Sequence, residues 1–351
     1  MSKVPFNEKE LEVVGKFALR HGSEINKYNT PVTQKENLLR ALRKEEPLWT
    51  PISDSIQTFR PRIMPDNVVC GLVTDGEPPM SVSDYSGKGW FGTEWLYVEK
   101  VGGATVKPGA PQITDINKWE EVLVFPDIES YDWEASAKAN EDWFSRDRAV
   151  EVVMLCGIFE RLMSLMDVSN AAIALIDDDQ KPAVHALFSR LCDFYDTVIE
   201  KYHKYYKPDI VLMHDDWGHQ RSSFFSVDTH EEMILPYITR IVESCHKRGM
   251  FYEQHSCGKI ETMVPHMIKA GIDIWQGQDM NDKAELVNKY GDDILISVGP
   301  GRAMQQMPEE DQLRIAEEVF EKMKGKRYIA GIIGTEKTNQ RFYKLSRMSY
   351  S

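Results

Sequence analysis

The sequence lacks the features that mark a nucleic-acid-binding or membrane protein. Its 42 Lys and Arg residues are outnumbered by 55 Asp and Glu residues, which gives a formal net charge of −13. No run of basic residues interleaved with aromatic residues stands out against this acidic balance. No uninterrupted apolar stretch approaches the roughly 20 residues that a membrane-spanning helix needs. We therefore expect neither a nucleic acid nor a membrane as a partner.

Cysteine is scarce and a secretory signal is missing. The chain has 5 cysteines, an odd number scattered over 351 residues, which is not the pattern of a disulfide framework. Its first residues, MSKVPFNEKELEVVGKF, are charged and have no apolar core segment, unlike a secretory signal. Reduced thiols and the missing signal both predict a cytoplasmic protein.

The chain also has no glycine-rich dinucleotide motif, because no GxGxxG follows any of its apolar runs. What it has instead is a regular alternation after about residue 150. Short apolar runs such as VEVVML, DIVLMHD, MFYEQHS, ILISVG and YIAGII are separated by amphipathic segments. This alternation predicts parallel strands with helices outside them. We expect an α/β fold, a TIM (β/α)8 barrel.

The first third of the chain is less regular. Residues 1–46 read as an N-terminal helical extension that contains the amphipathic helix VTQKENLLRALRKEE. The barrel is expected over residues 47–351, with its first strand at 49–53. Glycine and proline are frequent in residues 60–125, which predicts an irregular β insertion within the barrel.

Polar residues follow several of the apolar runs at the point where each predicted strand ends. In a TIM barrel the C-terminal ends of all strands face one rim, and active sites are built there. We therefore predict that these residues, although far apart in sequence, form one site. They are Asp54, His214, Asp215, Asp216, Glu253, His255, Cys257, Gln276, Gln278, Arg302 and Glu336.

Three of these residues have the side chains of a metal site. Side chains alternate along a strand, so Glu253, His255 and Cys257 project from the same side if the strand extends that far. A carboxylate, an imidazole and a thiolate are all zinc ligands. We predict zinc at this position. The alternative is a buried, purely structural cysteine, and the HDDWGHQ segment is alternatively a capping turn.

Aromatic residues are frequent in the predicted loops near the rim, and they indicate a pocket for an apolar or aromatic substrate. Ordinary packing is the alternative for each of them. Together with the polar rim residues they give a set of predicted substrate contacts. The set is Asp54, Asp84, Tyr85, Trp90, Trp217, His219, Gln276, Gln278 and Arg302.

Several segments resemble one protein family. HDDWGHQ and the downstream FYEQHSCGKIETMVPHMIKAGIDIWQGQDMND are similar to the uroporphyrinogen decarboxylase superfamily, especially to its corrinoid-dependent methyltransferases. The opening VTQKENLLRALRKEEPLWTPI and the middle segment CGIFERLMSLMDVSNAAIALIDD are also similar, so the likeness extends over most of residues 30–340. His-x-Cys-Gly at residues 255–258 is typical of the methyltransferase branch. The resemblance supports the barrel fold.

The resemblance implies an anaerobic O-demethylase component. Such an enzyme moves the methyl group of a phenyl methyl ether to the cobalamin of a separate corrinoid protein. The departing phenolate must be protonated or bound by a Lewis acid, and the candidate catalytic groups are His214, Asp215, Asp216 and His255. Zinc held by Glu253, His255 and Cys257 is the other means of assistance. This chain itself shows no corrinoid domain, so the cobalamin is expected on the partner protein.

Two departures from the family pattern bear on the reaction. The arginine-rich N-terminal signature of the porphyrinogen decarboxylases is missing, and the last predicted strand, YIAGIIGTEK, has no cysteine of the kind that completes a thiol-activating zinc site. The alternatives that stay open are methyl transfer from a methylcorrinoid to tetrahydrofolate or a thiol, and a metal-free decarboxylase of a small aromatic acid. A non-catalytic binding barrel is the remaining hypothesis.

Overall fold

The structure is a computed structural model that describes residues 4–18, 24–75, 81, 85–99, 103–144 and 147–351, without the side chain of Arg302. The chain divides into two compact units. The first unit comprises Met1–Gln57, Trp143–Val150 and Asp273–Ser351. The second comprises Thr58–Asp142 and Glu151–Ile272. Each unit is assembled from segments that are distant in sequence.

The strands are numbered in chain order. They are β1 (Val13–Ala18), β2 (Glu24–Tyr28), β3 (Ile56–Phe59), β4 (Gly87–Lys88), β5 (Glu94–Val98), β6 (Gly103–Val106), β7 (Ala149–Met154), β8 (Ile210–His214), β9 (Phe251–Ser256), β10 (Ile274–Gly277), β11 (Leu295–Gly301) and β12 (Ile329–Ile332).

The α-helices are numbered in the same way. They are α1 (Gln34–Leu42), α2 (Pro65–Val69), α3 (Trp119–Val122), α4 (Trp133–Ala139), α5 (Ile158–Met166), α6 (Val168–Ala174), α7 (Lys181–Lys201), α8 (Val227–Met233), α9 (Leu235–His246), α10 (Val264–Ala270), α11 (Lys283–Tyr290), α12 (Glu309–Met323) and α13 (Glu336–Ser349). Among the described residues, no helix is both long enough and apolar enough to cross a lipid bilayer.

The second unit contains a parallel ladder of Glu151–Met154 in β7 with β8 and β9, in which each strand pairs with the next in register. The first four residues of β8, IVLM, are all buried, as expected for a strand covered on both faces. Helices α5 to α10 follow and separate these strands. The longest, α7, buries residues three or four positions apart, such as Leu187, Leu191 and Tyr195, so one apolar stripe faces the core.

The first unit contains the parallel strands β10, β11 and β12 with the helices between them. The predicted strand at 49–53 is represented by a parallel bridge between Ile52 and Ala330 of β12. The backbone of Ala330 also donates a hydrogen bond to the Pro51 carbonyl, at 2.8 Å. Proline cannot donate within a ladder, so Pro51 limits the length of this strand.

These features confirm the predicted α/β class, with mostly parallel strands alternating with helices. The β insertion is also present, because β4, β5 and β6 form an antiparallel sheet in the second unit. The prediction of helix throughout residues 1–46 is wrong. Among the described residues of this range α1 is the one α-helix, while β1 and β2 form an antiparallel hairpin. Valine-rich β1 has a high strand propensity, and Lys16 pairs with Glu24 across the hairpin at 2.9 Å.

Candidate functional site

Two histidines stand side by side at the C-terminal ends of β8 and β9. His214 ends β8 and is paired in register with His255 of β9. Their imidazole rings are stacked, with centroids 4.2 Å apart and an interplanar angle of 22°. Neighbouring parallel strands bring residues of equal register to the same edge of the sheet, which explains this contact between residues 41 positions apart in sequence.

Asp216 lies near both rings. One of its carboxylate oxygens is 4.0 Å from Nδ1 of His214 and 4.0 Å from Nε2 of His255. The same oxygen accepts a hydrogen bond from the backbone N–H of Cys257 at 2.6 Å, which fixes the carboxylate. One ligand atom from each of His214, Asp216 and His255 lies within 4.8 Å of the others, a spacing that suits a single metal ion.

The site remains open to solvent while its members are largely buried. The side chains of His214, Asp216 and His255 are 29%, 24% and 18% exposed. Burial lowers the pKa of His214, although the nearby Asp216 acts in the opposite direction. The imidazole of His214 is therefore neutral at neutral pH, which is the form that binds a metal.

Glu160, near the start of α5, completes the cluster. Both of its carboxyl oxygens lie within hydrogen-bond distance of Nδ1 of His214, at 3.2 and 3.1 Å. Burial raises the pKa of Glu160 well above its usual value, and the charge of Asp216 raises it further. We therefore expect Glu160 to hold a proton at neutral pH, donated toward the neutral imidazole of His214.

Cys257 follows the end of β9 and places its sulfur at the same site. Its Sγ is 3.6 Å from Nε2 of His255. Burial and the charge of Asp216 raise the pKa of this thiol. In the absence of a bound cation, Cys257 is therefore a neutral thiol rather than a reactive thiolate.

Asp215 binds the N-terminus of α5, the helix that carries Glu160. It is fully buried, and its carboxylate accepts hydrogen bonds from the backbone N–H of Glu160 at 2.8 Å and from the indole of Trp217 at 2.9 Å. A weaker bond comes from the backbone of Phe159 at 3.3 Å. Burial raises the pKa of Asp215 to about 7. Asp215 thus caps α5 and positions Glu160.

A buried ion pair anchors the other side of α5. Nη2 of Arg161 is 2.5 Å from a carboxylate oxygen of Asp66, and both side chains are almost completely buried. The guanidinium also lies over the ring of Phe91, 4.6 Å from its centroid. Glu160 and Arg161 are adjacent, so this pair fixes the helical turn that presents Glu160 to His214.

Comparison with known proteins identifies the family. The family model described as uroporphyrinogen decarboxylase (URO-D) matches residues 110–332. This chain belongs to the URO-D family. The matched residues include α5, β8, β9 and the residues directly after these two strands, and so every member of the cluster around His214. A search of curated proteins finds no match.

A solved structure shows the same type of fold. The chain is similar to a methyltransferase from Methanosarcina mazei, with a TM-score of 0.60 and 15% sequence identity over 91% of this chain and 100% of that one. A sugar phosphate isomerase/epimerase from Parabacteroides distasonis has 10% identity over 66% of this chain and 78% of that one, with a TM-score of 0.32. The first likeness agrees with the TIM-barrel type of fold in the URO-D family.

The structure corrects the predicted metal ligands of this URO-D family member. Glu253 does project from the same strand as His255, but it lies two residues deeper, about 6.5 Å farther along the strand. It is 1% exposed, and its carboxyl is paired with that of Glu151 on β7. Burial and the Glu151 charge raise the pKa of Glu253 well above its usual value. Among the described residues, the group of side chains that could hold a metal consists of His214, Asp216 and His255, and it contains neither Glu253 nor Cys257.

Several predicted catalytic and substrate residues have other surroundings. Asp215 is a capping residue, of α5 rather than of the following helix. Trp217 is fully buried, with its ring centroid 4.7 Å from that of His230. Trp90 is buried and donates its indole N–H to the hydroxyl of Tyr131 at 3.0 Å. His219 is exposed, 3.1 Å from the hydroxyl of Ser222.

The remaining predicted contacts are spread over the chain. Tyr85 packs edge to face on Tyr97, with ring centroids 4.8 Å apart. Asp84 lies outside the described residues. The others belong to the first unit, where Asp54 lies in the 3-10 turn Ser53–Ser55 and lines a cavity, and Gln276 and Gln278 are exposed. Arg302 starts the 3-10 helix Arg302–Gln306, and its side chain lies outside the described part of the chain.

Sequence reasoning missed Glu160. The candidate residues were taken from the positions directly after each apolar run. Glu160 comes six residues after the end of β7. A usable signal was present in CGIFER, because a glycine and an acidic residue there mark the start of a helix that follows a strand. The N-terminus of such a helix lies at the same edge as the strand ends.

Proposed function

We propose that this chain is a methyltransferase that takes the methyl group of a methoxylated aromatic compound and passes it to the cobalamin of a separate corrinoid protein. The observation that carries the proposal is the convergence of His214, Asp216 and His255 at the ends of β8 and β9. Membership in the URO-D family and the likeness to a protein named as a methyltransferase support it.

The donor atoms of the cluster fit zinc. Two imidazoles and a carboxylate form a common zinc ligand set that leaves a fourth position for substrate. The sulfur of Cys257 lies beside this set, 3.6 Å from Nε2 of His255. Zinc bound there would act as a Lewis acid toward the ether oxygen. His214 is suited to the role because its lowered pKa keeps it neutral.

The reaction requires that a poor leaving group depart. The bond between the methyl carbon and the ether oxygen breaks, and its electron pair stays on the oxygen. The new bond to the methyl carbon uses an electron pair from the reduced corrinoid of the partner. A phenolate oxygen, with an ordinary pKa near about 10, must then be neutralised for rapid departure.

Glu160 is the proton donor that the geometry favours. Its raised pKa keeps a proton on the carboxyl group, which lies 3.1 Å from His214 and therefore at the edge of the cluster. The proton passes to the departing oxygen and the product is a phenol. Asp215 and the ion pair of Arg161 with Asp66 hold α5, so Glu160 is positioned before substrate binds.

Spectroscopy of the corrinoid tests the proposal. The protein is mixed with a corrinoid protein reduced to cob(I)alamin and with candidate methyl ethers, and absorbance is followed with analysis of the phenol. We expect the cob(I)alamin band to disappear as methylcobalamin and phenol form in equal amounts. The His255→Gln variant should be slower by at least about 100-fold, the effect of losing a group that assists the leaving oxygen.

His203→Gln is the matched control, because His203 is an exposed histidine that belongs neither to the cluster nor to the predicted substrate contacts. Its rate should equal that of the unmodified protein. Carbon dioxide release from an aromatic acid without any corrinoid would contradict the proposal and favour the decarboxylase. Methylation of tetrahydrofolate or a thiol by methylcobalamin, with no activity on ethers, would contradict the proposed methyl donor.

A further inference from the structure

A second candidate site lies entirely within the first unit and shares no residue with the cluster around His214. We propose that this cavity binds a small organic cation of the substituted ammonium class. Its volume is about 200 Å³. Because one water needs only about 10–15 Å³ on this measure, the cavity has room for a ligand of several non-hydrogen atoms. The inference does not depend on the proposed methyl transfer.

The cavity lies where β12 ends, and its walls are held by fixed contacts. The side-chain amide of Asn339 bonds both to the backbone N–H of Gly334 at 3.0 Å and to its carbonyl at 3.2 Å. Trp49 packs edge to face on Tyr343, with centroids 5.3 Å apart. Strand β2 of the N-terminal hairpin supplies a further wall. A cavity with fixed walls needs little rearrangement to accept a ligand.

The charged residues that line the cavity are all acidic. Glu24, Asp54 and Glu336 line the cavity, and none of the lining residues that the structure describes is Lys, Arg or His. Lys16 pairs with Glu24, and Arg148 donates to the backbone carbonyl of Asp54 at 2.7 Å, so part of the negative charge is offset. Glu336 accepts a hydrogen bond from the amide of Gln340 at 3.1 Å. The remaining negative potential favours a cation over an anion.

The uncharged part of the lining suits an alkylated cation. Tyr28, Trp49, Phe342 and Tyr343 contribute aromatic surface, which attracts ammonium groups that carry methyl substituents. The buried side-chain oxygen of Gln34 accepts no hydrogen bond from any residue that the structure describes. A ligand with an N–H or O–H group could satisfy this acceptor. Carboxylates, aromatic rings and a free acceptor are the components of an ammonium site.

Calorimetry with a matched pair of probes tests the proposal. Choline carries a trimethylammonium group, whereas 3,3-dimethylbutan-1-ol has nearly the same shape without the charge. Each is titrated into the protein alone, without a corrinoid protein. We expect choline to bind at least about fivefold more tightly than the neutral alcohol, because it gains a favourable charge interaction. Equal affinity for the two, or no heat from choline at millimolar concentration, would overturn the proposal.

Two variants test whether choline binds in this cavity. Glu336→Gln keeps the shape of the side chain and removes its charge, so choline should bind about fivefold more weakly while the neutral alcohol is unaffected. Glu310→Gln on α12 is the control, because Glu310 is exposed and does not line the cavity. An equal loss in both variants, or no loss in Glu336→Gln, would place choline elsewhere and contradict the assignment. Unfolding temperatures of both variants confirm that they are folded.

Discussion

Acid should lower the free energy of unfolding, because a neutral histidine, His230, is buried beside Trp217. His230 is completely buried, its Nδ1 is 3.0 Å from Nδ1 of His266, and its ring packs against Trp217. Burial lowers the pKa of His230 from 6.5 to about 3, and the neighbouring His266 adds to the effect. Above pH 6.5 neither the folded nor the unfolded chain carries this proton, so the group has no effect on stability.

As the pH falls below that value, the unfolded chain binds the proton and the folded chain does not. At pH 5, about 1.5 units below the ordinary pKa, the free energy of unfolding should be lower by about 2 kcal/mol, at 1.4 kcal/mol per unit. We expect His230→Phe to remove this dependence, because phenylalanine fills the same space and does not titrate.

Amide hydrogen exchange of peptides from β8 and α8, compared at pH 7.5 and pH 5 after correction for intrinsic rates, measures the effect locally. The unmodified protein should lose about 2 kcal/mol more protection than His230→Phe. His203→Gln, at an exposed histidine, is the control and should behave like the unmodified protein. The same loss of protection in the unmodified protein and in His230→Phe would refute the reasoning.

Three further changes test the framework of the second unit, each through the free energy of unfolding. Gly258→Ala should cost at least about 2 kcal/mol, because Gly258 has a φ of +95° and an added Cβ would lie 2.2 Å from the carbonyl carbon of Gly218. Asp66→Asn should cost about 3–5 kcal/mol, because it leaves Arg161 charged and buried. Hydrogen bonds from Arg248 and Lys247 hold the pKa of Asp196 well below its usual value, against the effect of burial. Asp196→Asn should therefore cost about 1 kcal/mol at neutral pH, and the cost should vanish as acid protonates the carboxylate. Unchanged stability in any of these variants would show that the contact is not needed.

The alternation of strands and helices could be predicted because it depends on the local pattern of apolar and polar residues. Strands such as β8 are covered on both faces and consist of apolar residues, whereas the helices between them carry one apolar stripe. Because polar residues at the ends of parallel strands share one edge of the sheet, the sequence alone predicted that His214 lies near His255. The register of two neighbouring strands turns this expectation into a ring contact of 4.2 Å.

The sequence could not predict how deep a side chain lies in the sheet or which distant residue it contacts. Alternation along β9 correctly placed Glu253 and His255 on one side, but it contains no information about how far each lies from the strand end. Glu253 is deeper and meets Glu151, a partner more than 100 positions away in sequence. The N-terminal hairpin was missed for a similar reason, since β1 and β2 depend on each other for their hydrogen bonds.

The ligand set itself can be measured directly. The unmodified protein and four variants are loaded with zinc, desalted and analysed for bound metal per chain. We predict close to one zinc per chain in the unmodified protein and in Glu253→Gln, and a loss of most of it in His214→Gln, Asp216→Asn and His255→Gln. Full zinc binding in the last three variants, or its loss in Glu253→Gln alone, would contradict the assignment of the site to the ends of β8 and β9.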